Sequence, residues 1–199
     1  LHPRGDRAFT PGVGDYRVIP GNCAADELVM SHVSSNFDRT GFQEDLNVVF
    51  PIDRLHELTQ KAIDDNTPVW FGSDVGQFFN SKCGLLDKNS FDYVNFLQLS
   101  DTMNKKERIN CCESLMTHAM VYVGYNTDKY GAINYWKIEN SWGTEGPYKG
   151  NLICSDEWFK EYTYQLILPK KYLKQNELEI WNGDIYKLFP LWDPMGSLA

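Results

Sequence analysis

The chain has 199 residues, 42% of them hydrophobic and 23% charged, the composition of an ordinary globular protein with room for one good core. No apolar run approaches the ~20 residues that a membrane-spanning helix needs, so no membrane partner is expected. A net charge of −8 opposes polyphosphate overall, and the one basic cluster, Lys170, Lys171 and Lys174, reads as a solvated helix face rather than a nucleic-acid site.

Five cysteines, two of them the adjacent Cys111 and Cys112 and none in a C-x-x-C pair, are too few and too irregular for a disulfide scaffold. They fit a reducing compartment. The opening residues have neither an initiating methionine nor the apolar stretch of a signal peptide, so the chain is expected to begin inside a longer one.

Taken in order, Leu1 to about Asn22 is rich in Gly, Pro and Arg and reads as an irregular lead-in. Propensity predicts a short helix over Ala24–Val33 and a short strand over Asn47–Phe50. Pro51 opens a clearer element, in which Ile52, Leu55, Leu58, Ala62 and Ile63 fall near helical spacing and Asn66 ends the run. Pro68–Gly72 follows as a buried strand, because β-branched and aromatic residues stand between turn formers. A helix feeding a buried strand implies α+β or α/β architecture. Ser73–Ser100 reads as loops and short turns, and Lys105–Cys112 as a polar connection. Ala119–Tyr125 and Tyr135–Glu139 form two strands of a hairpin across Asn126–Gly131, and Tyr162–Leu168 supplies another strand. The tail from Trp181 to Ala199 is too rich in Pro and Gly for a helix and must pack as an arm or wander.

His118 opens one hairpin strand and Asn140 closes the next, 22 residues on, so the turn brings both to the same end of the sheet. A Cys-His-Asn mechanism needs an imidazole to take the thiol proton and an amide to fix its tautomer. On residue type alone, a structural histidine satisfied by a backbone carbonyl is the commoner outcome.

Thr117-His118-Ala119-Met120-Val121-Tyr122-Val123-Gly124-Tyr125 and Asn140-Ser141-Trp142-Gly143-Thr144 resemble the histidine and asparagine blocks of papain-like proteases. More narrowly, Glu113–Met120, Glu139–Gly143, Asp156–Phe159 and Trp192-Asp193-Pro194-Met195-Gly196 resemble the bleomycin hydrolase and aminopeptidase C branch. Val69–Gly76 and Phe79–Lys82 resemble it too, so the likeness runs with gaps from about Ile52 to Ala199, while the first fifty residues match poorly. The resemblance implies an α+β papain-like fold, of which this chain is the β-rich lobe with helical additions. Residues 1–50 would be a poorly matched lead-in, part of the helical insertion or inter-lobe region, 51–180 the lobe carrying His118 and Asn140, and 181–199 an arm reaching the cleft. It further implies that His118 is general base and acid, that Asn140 orients it, and that Trp142 shields their hydrogen bond from water. The carboxylate of Ala199 would anchor the substrate's amino group. Peptide substrates, a hexameric ring, a cytoplasmic location and neither cofactor nor metal complete that expectation. Some relatives in the branch bind nucleic acid, which the charge of this chain does not support.

The nucleophile is the departure from the pattern. It should stand at a helix start, where the dipole favours thiolate, in a lobe earlier in sequence. Gly21-Asn22-Cys23-Ala24-Ala25 is the nearest imitation, without the oxyanion Gln or the following aromatic. Cys23 precedes His118 by 95 residues, short of the ~130–150 expected between nucleophile and base. Cys111 and Cys112 lie too near His118 in sequence, and Cys83 and Cys154 read as packing cysteines. Two explanations stand: a piece of a longer cysteine aminopeptidase, or a remnant without the catalytic lobe that serves as an oligomeric scaffold or nucleic-acid-binding protein.

Overall fold

The computed structural model describes residues 50–99 and 103–182 with their side chains, together with the backbone of strands at 16–22, 29–34, 44–49 and 187–188. Cys23 and most of the segment expected to form an arm over 181–199, including Trp192 and Ala199, lie outside the described residues.

The frame is a long, mostly antiparallel sheet packed against helices. Helix α1 (Ile52–Asp64) follows strand β3 (Glu44–Pro51) directly, as the proline and the apolar spacing predict, and buries Leu55, Leu58, Thr59 and Ala62. It delivers the chain to β4 (Val69–Ser73), the buried strand read from the sequence. The hairpin is present as β7 (His118–Thr127) and β8 (Ile133–Glu139). In its turn Asp128 Oδ1 accepts from the amides of Tyr130 (2.8 Å) and Ala132 (3.0 Å), and Gly131 takes a positive φ of 86°. Strands β9 (Asn151–Ser155) and β10 (Thr163–Pro169) flank α4 (Asp156–Tyr162), whose N-cap Ser155 accepts from the amide of Trp158 at 3.2 Å. In sheet order β10, β4, β7, β8 and β9 stand side by side, each antiparallel to the next.

The core between α1, α4 and this sheet is strongly aromatic. Phe71 stacks on Tyr122 with ring centroids 3.7 Å apart, and Trp136 stacks on Phe159 at 4.8 Å. Each of these four side chains is fully buried. Arg54 of α1 donates to Glu177 at 2.7 and 2.9 Å, tying α1 to α5 (Gln175–Asn182).

Several local expectations are corrected. The lead-in is not irregular throughout, because Tyr16–Asn22 forms β1 and pairs antiparallel with β10. The helix expected over Ala24–Val33 gives way to β2 (Val29–Ser34), which pairs antiparallel with β3. Sheet pairing outweighs helix propensity there, since propensity is worth only tenths of a kcal/mol per residue. Ser73–Ser100 holds more order than turns: β5 (Phe79–Asn80), β6 (Leu85–Leu86), a 3-10 turn at Lys88–Ser90 and α2 (Tyr93–Leu97). The polar connection is helix α3 (Lys105–Asn110), started by a reciprocal capping box between Asn104 and Glu107. Trp181 and Asn182 belong to α5 rather than to an irregular tail, and β11 (Lys187–Leu188) pairs parallel with β2. Cys83 is exposed and does no packing, whereas Cys154 is fully buried. Among the lysines read as a helix face, Lys170 and Lys171 sit in a 3-10 turn, and Lys170 lies over the Trp181 ring at 5.6 Å.

Candidate active site

The register Val121↔Glu139 closes the β7–β8 ladder and leaves His118 and Asn140 at the same end of the hairpin. There His118 Nε2 stands 2.9 Å from Asn140 Oδ1. An amide oxygen only accepts, so in the neutral imidazole this contact puts the proton on Nε2 and leaves the Nδ1 lone pair free. A ring in that tautomer can take a proton from a thiol at Nδ1 without breaking its bond to the amide.

Backbone contacts hold each partner. Asn140 Oδ1 also accepts from the amide of Ser141 at 2.8 Å, and the Asn140 amide donates to the carbonyl of Gly150 at 3.0 Å. Gly150 takes φ +88°, and a Cβ there would lie 2.6 Å from the carbonyl oxygen of Gly143, so only glycine lets the two arms of the 140–150 loop close. On the other side, Ser73 pairs in register with His118 across β4 and β7. Asn140 Nδ2 and Ser73 Oγ are buried and have no hydrogen-bond partner among the described residues, two of the costlier features of this end of the sheet.

Trp142 lies over the imidazole, ring centroids 4.9 Å apart and planes 26° from parallel, and leans on Phe79 at 5.7 Å. It remains 52% exposed, so it covers one face of His118 and presents its own outer face to solvent. Sequence reasoning alone does not single out Phe79 or Gly150 as parts of the site. The run Gly143, Gly146, Gly150 is the available signal for the second, since all three have positive φ.

No cysteine hydrogen-bonds to His118 among the described residues. Cys83, Cys111 and Cys112 are exposed, and burial pushes the Cys154 thiol well above the usual cysteine range, which makes it inert. Among the described residues no cluster of His, Cys, Asp or Glu could hold a metal ion, and no helix is long and apolar enough to cross a membrane.

The chain has counterparts among known proteins. The Peptidase C1-like family matches residues 32–196. The chain belongs to that family. Within it, the chain is 43% identical over 152 residues to bleomycin hydrolase of Homo sapiens, covering 75% of this chain and 33% of that protein. It is 44% identical over 149 residues to aminopeptidase C of Streptococcus thermophilus, again covering 75% of this chain and 33% of the relative. The fold matches the crystal structure of PepW from Lactobacillus rhamnosis HN001 with a TM-score of 0.85 at 35% identity, covering 94% of this chain and 43% of that one. The fold is therefore α+β and papain-like, as the family resemblance implied, and the chain spans about a third of the length of the curated relatives it matches.

Proposed function

We propose that this chain is the histidine- and asparagine-bearing part of a cysteine aminopeptidase, with the nucleophilic cysteine supplied by polypeptide outside its 199 residues. The observation that carries the reading is the 2.9 Å contact of His118 Nε2 with Asn140 Oδ1, because it leaves Nδ1 as the proton acceptor. In the proposed reaction Nδ1 takes the thiol proton, and the thiolate attacks the carbonyl of the first peptide bond. His118 then returns the proton to the departing amine, and water, deprotonated by the same ring, hydrolyses the thioester. Asn140 keeps the ring in one tautomer throughout, and Trp142 limits water on one face of the ring.

The names of the relatives support an aminopeptidase rather than an endopeptidase. The carboxylate of Ala199, at the end of an arm that contains Pro194, is the proposed partner of the substrate's ammonium group. A hexameric ring and a cytoplasmic location belong to the same proposal, and the scarcity of cysteine pairs favours a reducing compartment. The intact His118–Asn140 pair favours this reading over a non-catalytic scaffold, which has no use for a fixed tautomer.

In the full-length protein, His118→Ala should lower kcat/KM on free-amino peptides by about 10³-fold or more, as loss of a general base does. Near-normal turnover would remove His118 from the mechanism.

A further inference from the structure

Resting on the reading of His118 as general base, we propose that Asp74 is a positioning residue for it: its buried carboxylate fixes the connection from α3 to β7, and with it the point at which His118 enters the sheet. The chain leaves α3 through Cys112, which takes a left-handed φ of 56°, while the Glu113 amide reaches back to the carbonyl of Arg108 at 2.8 Å. From there five residues lead to His118, and the hydroxyls of two of them, Ser114 and Thr117, converge on one carboxylate.

Ser114, 1% exposed, donates from Oγ to Asp74 Oδ2 at 2.7 Å, and its Oγ also lies 2.5 Å from the hydroxyl of Tyr164 on β10. Thr117 donates through its hydroxyl to Asp74 Oδ1 at 3.3 Å and through its amide to the carbonyl of Ser73 at 2.9 Å. Gln77 Nε2 completes the set by donating to Asp74 Oδ2 at 3.1 Å. The Asp74 amide, in turn, donates to the carbonyl of Tyr162 at 3.2 Å. One residue thus gathers the end of β4, the approach to β7 and the end of α4, while Ser114 carries the network on to Tyr164 of β10.

The carboxylate contacts neither imidazole nor Asn140 in any of these bonds, so its effect on His118 is through place rather than charge. Place matters because a misplacement of about 1 Å at a reacting atom costs on the order of 10²-fold in rate. The donors that meet this carboxylate are neutral hydroxyl and amide groups. Replacing it with an amide turns one acceptor oxygen into a donor facing those groups, which cannot all reverse.

The test uses ¹⁵N-labelled chain and long-range ¹H–¹⁵N spectra, which report the nitrogen that carries the proton in the neutral ring of His118. Wild type should show the Nε2–H tautomer alone. Asp74→Asn and Ser114→Ala should each give a tautomer mixture, while Arg54→Gln, which destabilises the distant α1–α5 contact, should not. In the full-length enzyme the same two variants should lower kcat about tenfold or more with KM within about threefold of wild type. If Asp74→Asn does not fold, Tyr164→Phe and Ser114→Ala carry the same readouts. Folded variants with an unchanged tautomer and unchanged kcat overturn the proposal. Should His118→Ala prove active, the catalytic reading fails instead, and the tautomer measurement still decides the role of Asp74.

Discussion

At the scale of single residues, the proposed reaction divides proton transfer between His118 and Asn140, with the ring moving protons and the amide deciding which nitrogen does so. Asn140→Ala in the full-length enzyme should therefore cost less than His118→Ala, on the order of 10²-fold in kcat/KM, because the base survives but loses its fixed tautomer. An unchanged kcat/KM with intact folding would make Asn140 a structural residue only. Trp142→Ala removes the ring that lies on His118 and on Phe79, and a smaller loss confined to kcat is expected, read by steady-state kinetics. The His–Asn pair is legible in the sequence because a hairpin is a local structure: the turn at Asn126–Gly131 dictates that residues beyond the two strand ends meet. Asp74 is not legible in the same way. Its partner Ser114 is 40 residues away in sequence, and no periodicity announces a contact made by a connecting segment with a different strand.

Among the elements, the loop from Asn140 to Gly150 and helix α1 show how small features set the position of larger ones. Gly150→Ala forces a Cβ to within 2.6 Å of the Gly143 carbonyl at a φ of +88°. The variant should lose about 1–3 kcal/mol of stability by denaturant titration and loosen the anchor of the Asn140 amide. Arg54→Ala leaves Glu177, 4% exposed, as a buried charge without its fork of hydrogen bonds, and should cost about 3–5 kcal/mol. Asp156 gives a pH dependence. Burial alone would raise its carboxyl, but hydrogen bonds from His56 at 2.7 Å, Lys160 and Trp136 at 2.9 Å outweigh it and lower the value from 3.8 to about 2. Its contribution is thus fully present above the unfolded value near 3.8 and is lost as pH falls through about 2. It amounts to at most about 2 kcal/mol, and to less after solvent screening. Asp156→Asn should lower Tm near neutral pH and flatten the acid limb of the stability curve over that window. Helix α1, β4, the hairpin and β10 are readable from sequence because each carries its own period or its own turn. The helix expected over Ala24–Val33 fails because β2 gains its order from β3, a pairing that local propensity does not encode. Helix α3 escapes the same reading although Asn104 and Glu107 spell a capping signal, since so short a helix shows too few turns for a period.

At the scale of the molecule, the general base proposed at His118 has no cysteine hydrogen-bonded to it among the described residues. It spans about a third of its curated relatives and 43% of PepW, and the proposed source of the thiol is sequence that those proteins carry beyond the matched part. A thiol-reactive label discriminates between the possibilities, because a cysteine activated by an imidazole alkylates far faster than an ordinary thiol and loses that advantage when the imidazole is removed. Cys83, Cys111 and Cys112 are exposed and should react with iodoacetamide at ordinary rates, while the buried Cys154 should not react in the folded chain. Cys23 is the only one of the five outside the described residues, and its sequence surroundings lack the expected glutamine and aromatic. In the 199-residue chain, His118→Ala should therefore leave every labelling rate unchanged within about twofold, as followed by peptide mass spectrometry, and peptidase activity should be undetectable. Fast labelling of Cys23 that disappears in His118→Ala would reverse this conclusion: the nucleophile would then belong to this chain, and the active site would be complete within it.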